Sequence, residues 1–131
     1  LHDKYIAENI SFISNNIIIR KYITDLQRHI ANNINVVCEG RDIGTVVFPF
    51  ADFKFFLKAD IDIRVERRHQ QYLKNNISLE KEKIKKMLLD RDYNDINRKV
   101  SPLKKANNSI ELDTTYKTIE EQIDIIIAKV K

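Results

Sequence analysis

Two groups of charged residues are spaced for chemistry on phosphate. The first is Glu39-Gly40-Arg41-Asp42-Ile43-Gly44-Thr45, which holds both glycines of the chain beside an arginine and an aspartate. Glycine lets a backbone turn tightly and approach a ligand closely. The planar fork of Arg41 suits a phosphate, and Asp42 supplies a fixed acceptor. The second group is helical. Arg64, Arg67 and Arg68 recur at i, i+3 and i+4, and Arg91, Asp95 and Arg98 at i, i+4 and i+7, so each set shares a helix face. A carboxylate between two guanidinium groups pre-orients them for a phosphate or a ribose. Pattern alone also allows plainer readings. The first stretch suits a polar strand-to-helix loop with an incidental ion pair, and the helical sets suit salt-bridged, solvated surfaces that contribute little. His2, His29 and His69 are scattered, and Cys38 is the only cysteine. An intramolecular disulfide and a cysteine-rich metal site are thereby excluded, and no metal-ligating set is expected.

The elements that must carry these residues follow from periodicity. Residues 3–13 read as a short amphipathic helix with Ile6, Ile10 and Ile13 at helical spacing, ended near Asn15-Asn16. A second helix over 17–31 turns Ile19, Ile23, Leu26 and Ile30 inward and leaves Arg20, Gln27 and Arg28 elsewhere. Residues 34–39, rich in β-branched side chains, predict a buried strand, with Cys38 packed in it as a small hydrophobe. Ligands of open α/β sheets sit just beyond the carboxyl ends of strands, where the glycine loop lies. A second strand is expected over 53–58, and Asp60 is a candidate N-cap for a helix to about residue 74. A further helix runs from Ser78 to roughly Val100, since Pro102 forbids continuation. A third strand spans 109–113 and a last helix 118–130. The alternation argues α/β with a parallel sheet.

Composition bounds the rest. The 131 residues make at most one ordinary domain, and 43% hydrophobic with 32% charged residues fit a globular rather than a disordered chain. No apolar run approaches a membrane span, and no secretory signal is visible. With one cysteine, a reducing, cytoplasmic setting is expected. The net charge of +4 is too mixed to demand a nucleic-acid partner, yet it is compatible with anionic ligands.

The string from Glu39 to Pro49 resembles the signature loop of the bacterial-type cytidylate kinases. Further pieces follow in the family's order: Lys54-Phe55-Phe56-Leu57-Lys58-Ala59, Arg64 with Arg67-Arg68, Arg91-Asp92 with Asp95 and Arg98, Pro102-Leu103, and Leu112-Asp113-Thr114-Thr115. Ser11 and Arg20 fall where the family has a serine and an arginine. The resemblance implies a nucleoside monophosphate kinase that moves the γ-phosphoryl of ATP to CMP or dCMP with Mg2+. It also implies a three-layer, P-loop-NTPase-like parallel sheet with a helical lid region at about 60–98. By the same resemblance, Ser11, Arg20 and Asp42 read the cytosine edge, and Arg41 and Arg91 hold the acceptor's α-phosphate. Asp95 and Arg98 lie by the sugar, while Arg64, Arg67 and Arg68 open the lid over the phosphates, with Arg64 toward ATP. The implied partners are small nucleotides, with neither nucleic acid nor membrane, and the implied state is a monomer of pyrimidine metabolism.

Departures from the family pattern are instructive. Phe50 stands in place of an acid, Lys105 of a proline and Asn108 of an aspartate. No G-x-x-x-x-G-K-[ST] occurs among the 131 residues. The chain is therefore expected to be the C-terminal portion of one kinase domain, with the N-terminal P-loop unit absent, the sheet incomplete, and the isolated chain inactive toward ATP. In this fold class the P-loop strand separates the strands matching 34–39 and 53–58, so without it both are expected to face a gap or each other, leaving backbone donors unpaired. The alternatives are a catalytically inactive nucleotide-binding fragment and, behind it, a basic nucleic-acid-binding module. Against the latter, no stacking aromatics are interleaved with the basic residues.

Overall fold

The computed structural model describes residues 16–131. Ser11, and the helix expected over 3–13, lie outside the described residues. Along the rest run α1 (Ile17–Ile30), a π-helical turn (Ile43–Val47), β1 (Phe55–Lys58), α2 (Ile61–Lys74), α3 (Lys81–Asn97), β2 (Ile110–Asp113) and α4 (Ile119–Val130). They divide into two units: the chain up to Ala51 together with Asp95–Lys105, and Asp52–Asn94 together with Ala106–Lys131.

The second unit holds the sheet. β1 and β2 pair in parallel, with Phe55 opposite Ile110 and Leu57 opposite Leu112. A parallel pair cannot be joined by a tight turn; here α2 and α3 make the crossover. The ladder is extended at both ends, as Ile110 N–H donates to the Lys54 carbonyl and Thr114 N–H to that of Lys58, both at 2.8 Å. Val65 of α2, Ile84 of α3 and Leu112 of β2 are buried, and they form this unit's core. The expected α/β class with a parallel sheet is thus observed, with two strands among the described residues.

Helix ends follow local chemistry. The Asn16 side chain accepts from the N–H groups of Ile18 and Ile19 at 3.0 and 3.2 Å, capping α1. Thr118 and Glu121 form a reciprocal capping box on α4. Asp60 stands at the N-cap position of α2, but its carboxylate makes no cap bond. Its N–H donates instead to Thr115 Oγ1 at 3.1 Å. α3 begins and ends about three residues inside the expected span. Its end is closed by Leu103 N–H donating to the Asp95 carbonyl at 2.7 Å, with Ser101 in the left-handed region at φ 50°.

Two expectations are corrected. Residues 34–39 form no strand; Cys38 is exposed, and Val37 is fully so. Branched side chains favour an extended backbone, but a strand exists only when a ladder satisfies its N–H and C=O groups. Among the described residues none does so here. The stripe Ile19, Ile23, Leu26 and Ile30 is likewise 38–60% exposed rather than turned into a core. Its helical period is present, but the surface it would cover is not supplied by the described residues.

Candidate functional site

In the first unit, α1 presents two arginines to the segment that follows Gly40. Arg20 Nη2 pairs with Asp42 Oδ2, and Asp42 is buried. Its Oδ1 accepts no hydrogen bond among the described residues. Arg28 Nε donates to the Val47 carbonyl at 2.9 Å and Nη2 to that of Val46 at 2.8 Å. Between these grips the chain makes its π-helical turn, with Val47 N–H on the Asp42 carbonyl at 3.2 Å and Phe48 N–H on that of Ile43 at 2.7 Å. Such turns are rare and concentrate at functional sites. Neither glycine takes a positive φ. Gly40 serves close packing instead, since a Cβ there would lie 2.9 Å from Ile43 Cγ1.

The turn sets Arg41 beside the end of α3. Arg41 Nε donates to Asp95 Oδ2 at 2.7 Å, and Arg98 Nη1 lies 3.7 Å from Asp95 Oδ1. Asp95 thus has the Arg41 guanidinium on one oxygen and that of Arg98 near the other. Arg98 itself lies past the end of α3 rather than on its face; its Nε donates to the Ser101 carbonyl at 2.6 Å. Its Nη2 is buried without a hydrogen-bond partner among the described residues. Burial, and after it the neighbouring Arg20 charge, pulls the Arg98 guanidinium below its ordinary value, while Asp42 and Asp95 pull the other way. Among the described residues, Arg20 is thus paired with Asp42, and Arg41 and Arg98 flank Asp95. Phosphate oxygens match the donor geometry of arginine.

The second unit gathers the other arginines. Arg64, Arg67, Arg68 and Arg91 line an open cavity of about 250 Å³ with Gln71 and Leu88. Arg64 is bidentate to Asp92, at 2.5 and 2.8 Å, and this hydrogen bonding raises its pKa further above the ordinary value. Arg67 turns to the backbone after β2: Nη2 donates to the carbonyls of Thr114 at 2.5 Å and Lys117 at 3.3 Å. Arg68 bonds Gln71 Oε1 at 2.6 Å and lies 5.0 Å over the Tyr72 ring. The three share the cavity, as their spacing predicts, although only Arg64 is held by a carboxylate there. Arg41 belongs to the first unit and Arg91 to the second.

Arg28 and Asp92 were named in the sequence but given no role. Arg28 follows Arg20 by two helical turns, yet its acceptors are backbone carbonyls. Asp92 stands next to Arg91 in its motif, but its pairing with Arg64 is not visible in the spacing. Among the described residues, no group of three or more His, Cys, Asp or Glu side chains could hold a metal ion. No helix among them is long and apolar enough to cross a membrane.

The family model for cytidylate kinase matches residues 1–131. The chain is 46% identical to a cytidylate kinase of Fusobacterium nucleatum over its whole length, which is 60% of that protein. It is 41% identical over its whole length to one of Streptococcus gordonii, covering 58% of it. One of Clostridium tetani is 45% identical over 92% of the chain, covering 54% of that protein. The chain thus spans little more than half the length of the curated relatives it matches. A family model that matches the whole chain and relatives 41–46% identical to it lead to one assignment: the chain belongs to the cytidylate kinase family, corresponding to the C-terminal part of its members.

Proposed function

We propose that the protein carrying these residues transfers the γ-phosphoryl of ATP to CMP or dCMP, giving CDP or dCDP, as a monomeric cytoplasmic enzyme of pyrimidine metabolism. The observation that carries the proposal is the first-unit cluster, in which Arg20 holds the buried Asp42, Arg41 and Arg98 flank Asp95, and Arg98 Nη2 is buried without a hydrogen-bond partner among the described residues. Asp42, held by Arg20, accepts from the exocyclic amino group of cytosine, and Ser11 completes that edge. Arg41 and Arg91 take the α-phosphate, with Asp95 and Arg98 by the sugar.

Phosphoryl transfer asks chiefly for positioning and for cations around the equatorial oxygens. The second-unit arginines fit the ATP side of that task, Arg64 by exchanging Asp92 for a phosphate and Arg67 and Arg68 as part of a lid that excludes water. Mg2+ usually arrives with the substrate's phosphates and one or two carboxylates. The described residues offer it no cluster of their own, and no step here runs through it.

A coupled assay of CMP-dependent ADP formation tests the proposal on the full-length polypeptide that contains this sequence. Turnover with CMP and dCMP well above that with UMP and AMP is expected; equal rates with all four, or no turnover, would overturn it. A second reading, a monophosphate-binding polypeptide that transfers nothing, is favoured for the 131 residues alone by the lack of G-x-x-x-x-G-K-[ST] among them. Saturable CMP binding without ADP formation by that polypeptide is the outcome it requires.

A further inference from the structure

We infer that Arg28 is a positioning residue for the monophosphate site, acting through the π-helical turn. The inference rests on the kinase reading for its functional half and on geometry for the rest. A π-helical turn leaves the carbonyls at its end without helical donors. At Val46 and Val47 those carbonyls are met by one guanidinium, Nε to Val47 and Nη2 to Val46. The same helix, two turns earlier, grips the start of the turn through Arg20 and Asp42.

The segment is thus held at both ends by a single rigid rod. Its roll about its own axis fixes where the Asp42 carboxylate and the Arg41 fork point. Releasing the Arg28 end frees that roll while leaving Arg20–Asp42 and Arg41–Asp95 chemically intact. Arg28 itself is exposed on α1, so its replacement opens no core. A lysine keeps the charge but carries one nitrogen where the fork carries two spaced donors.

Two measurements on the full-length polypeptide test this. In steady-state kinetics, Arg28→Gln is expected to raise KM for CMP by about tenfold, the order of a lost bidentate charge-assisted pair. The kcat and KM for ATP are expected to stay within about twofold, and Arg28→Lys to recover part of the loss. In hydrogen exchange read by mass spectrometry, Arg28→Gln is expected to speed exchange at residues 42–48 and leave β1 and α2 unchanged. An unaltered KM for CMP in an active enzyme overturns the positioning role, as does full recovery by lysine. Unaltered exchange at 42–48 overturns the clamp itself, whatever the enzyme turns out to phosphorylate. A wild type that ignores CMP while exchange responds to Arg28 instead counts against the kinase reading alone.

Discussion

Asp42 carries the sharpest prediction at the scale of single residues. It is buried and paired with Arg20 through one oxygen; the other meets no donor among the described residues, so that acceptor selects a donor. Cytosine presents an amino group where uracil presents a carbonyl, and a carboxylate facing a carbonyl is left unpaired. Asp42→Asn is therefore expected to reduce the preference for CMP over UMP, in kcat/KM, by about 10- to 100-fold in paired assays. A second residue-scale prediction concerns acid. Asp113 accepts from the Thr115 hydroxyl at 2.6 Å and its N–H at 2.9 Å, and these bonds hold its carboxyl below the ordinary value of 3.8. A depressed carboxylate adds stability that is full above the unfolded value and is lost as pH falls through the folded one. Urea unfolding should thus separate wild type from Asp113→Asn at neutral pH, and the two should converge only as pH falls below 3.8 and through the lower folded value. The charged residues that meet in the first unit were legible from type and spacing, because Arg41, Asp42, Asp95 and Arg98 form short motifs. Arg28 was not, because its acceptors are backbone carbonyls, which leave no mark on the sequence.

Among the elements, the legible ones were those that settle their own hydrogen bonds. Helices α1, α2 and α4 fall within a residue or so of their expected bounds, since periodicity and caps are local. The Thr118–Glu121 box is visible as T-x-x-E in the sequence and is present in space, with 2.8 and 3.2 Å bonds. Thr118→Ala is expected to cost about 1 kcal/mol, read as a lower urea midpoint with an unchanged slope. Strand 34–39 was misjudged for the converse reason: its bonds must come from a partner remote in sequence. Asp60 was also misjudged in part, because Thr115 claims its N–H and its carboxylate makes no cap.

For the molecule as a whole, the telling feature is apolar surface. Ile19, Ile23 and Leu26 on α1, Leu57 on β1, and Ile123 and Ile127 on α4 are each 38–55% exposed. Large apolar side chains left exposed on each unit favour association. The 131-residue polypeptide alone is expected to self-associate with rising concentration in sedimentation velocity and to bind a hydrophobic dye. A concentration-independent monomer without dye binding would contradict this. No sequence pattern announces such exposure, since an apolar stripe looks the same whether or not something covers it.

The parallel pairing of β1 with β2 also sets a clock. Phe55 and its partner Ile110 are 55 residues apart, so bringing them together costs about 3.5 kcal/mol of chain entropy before any ladder bond repays it. On a ribosome adding about 5–20 residues per second, β1 waits about 3–11 seconds for β2 to be synthesised. During that wait Phe55, Phe56 and Leu57 lack β2 beside them, and a stray strand from another nascent chain is a competitor for that edge.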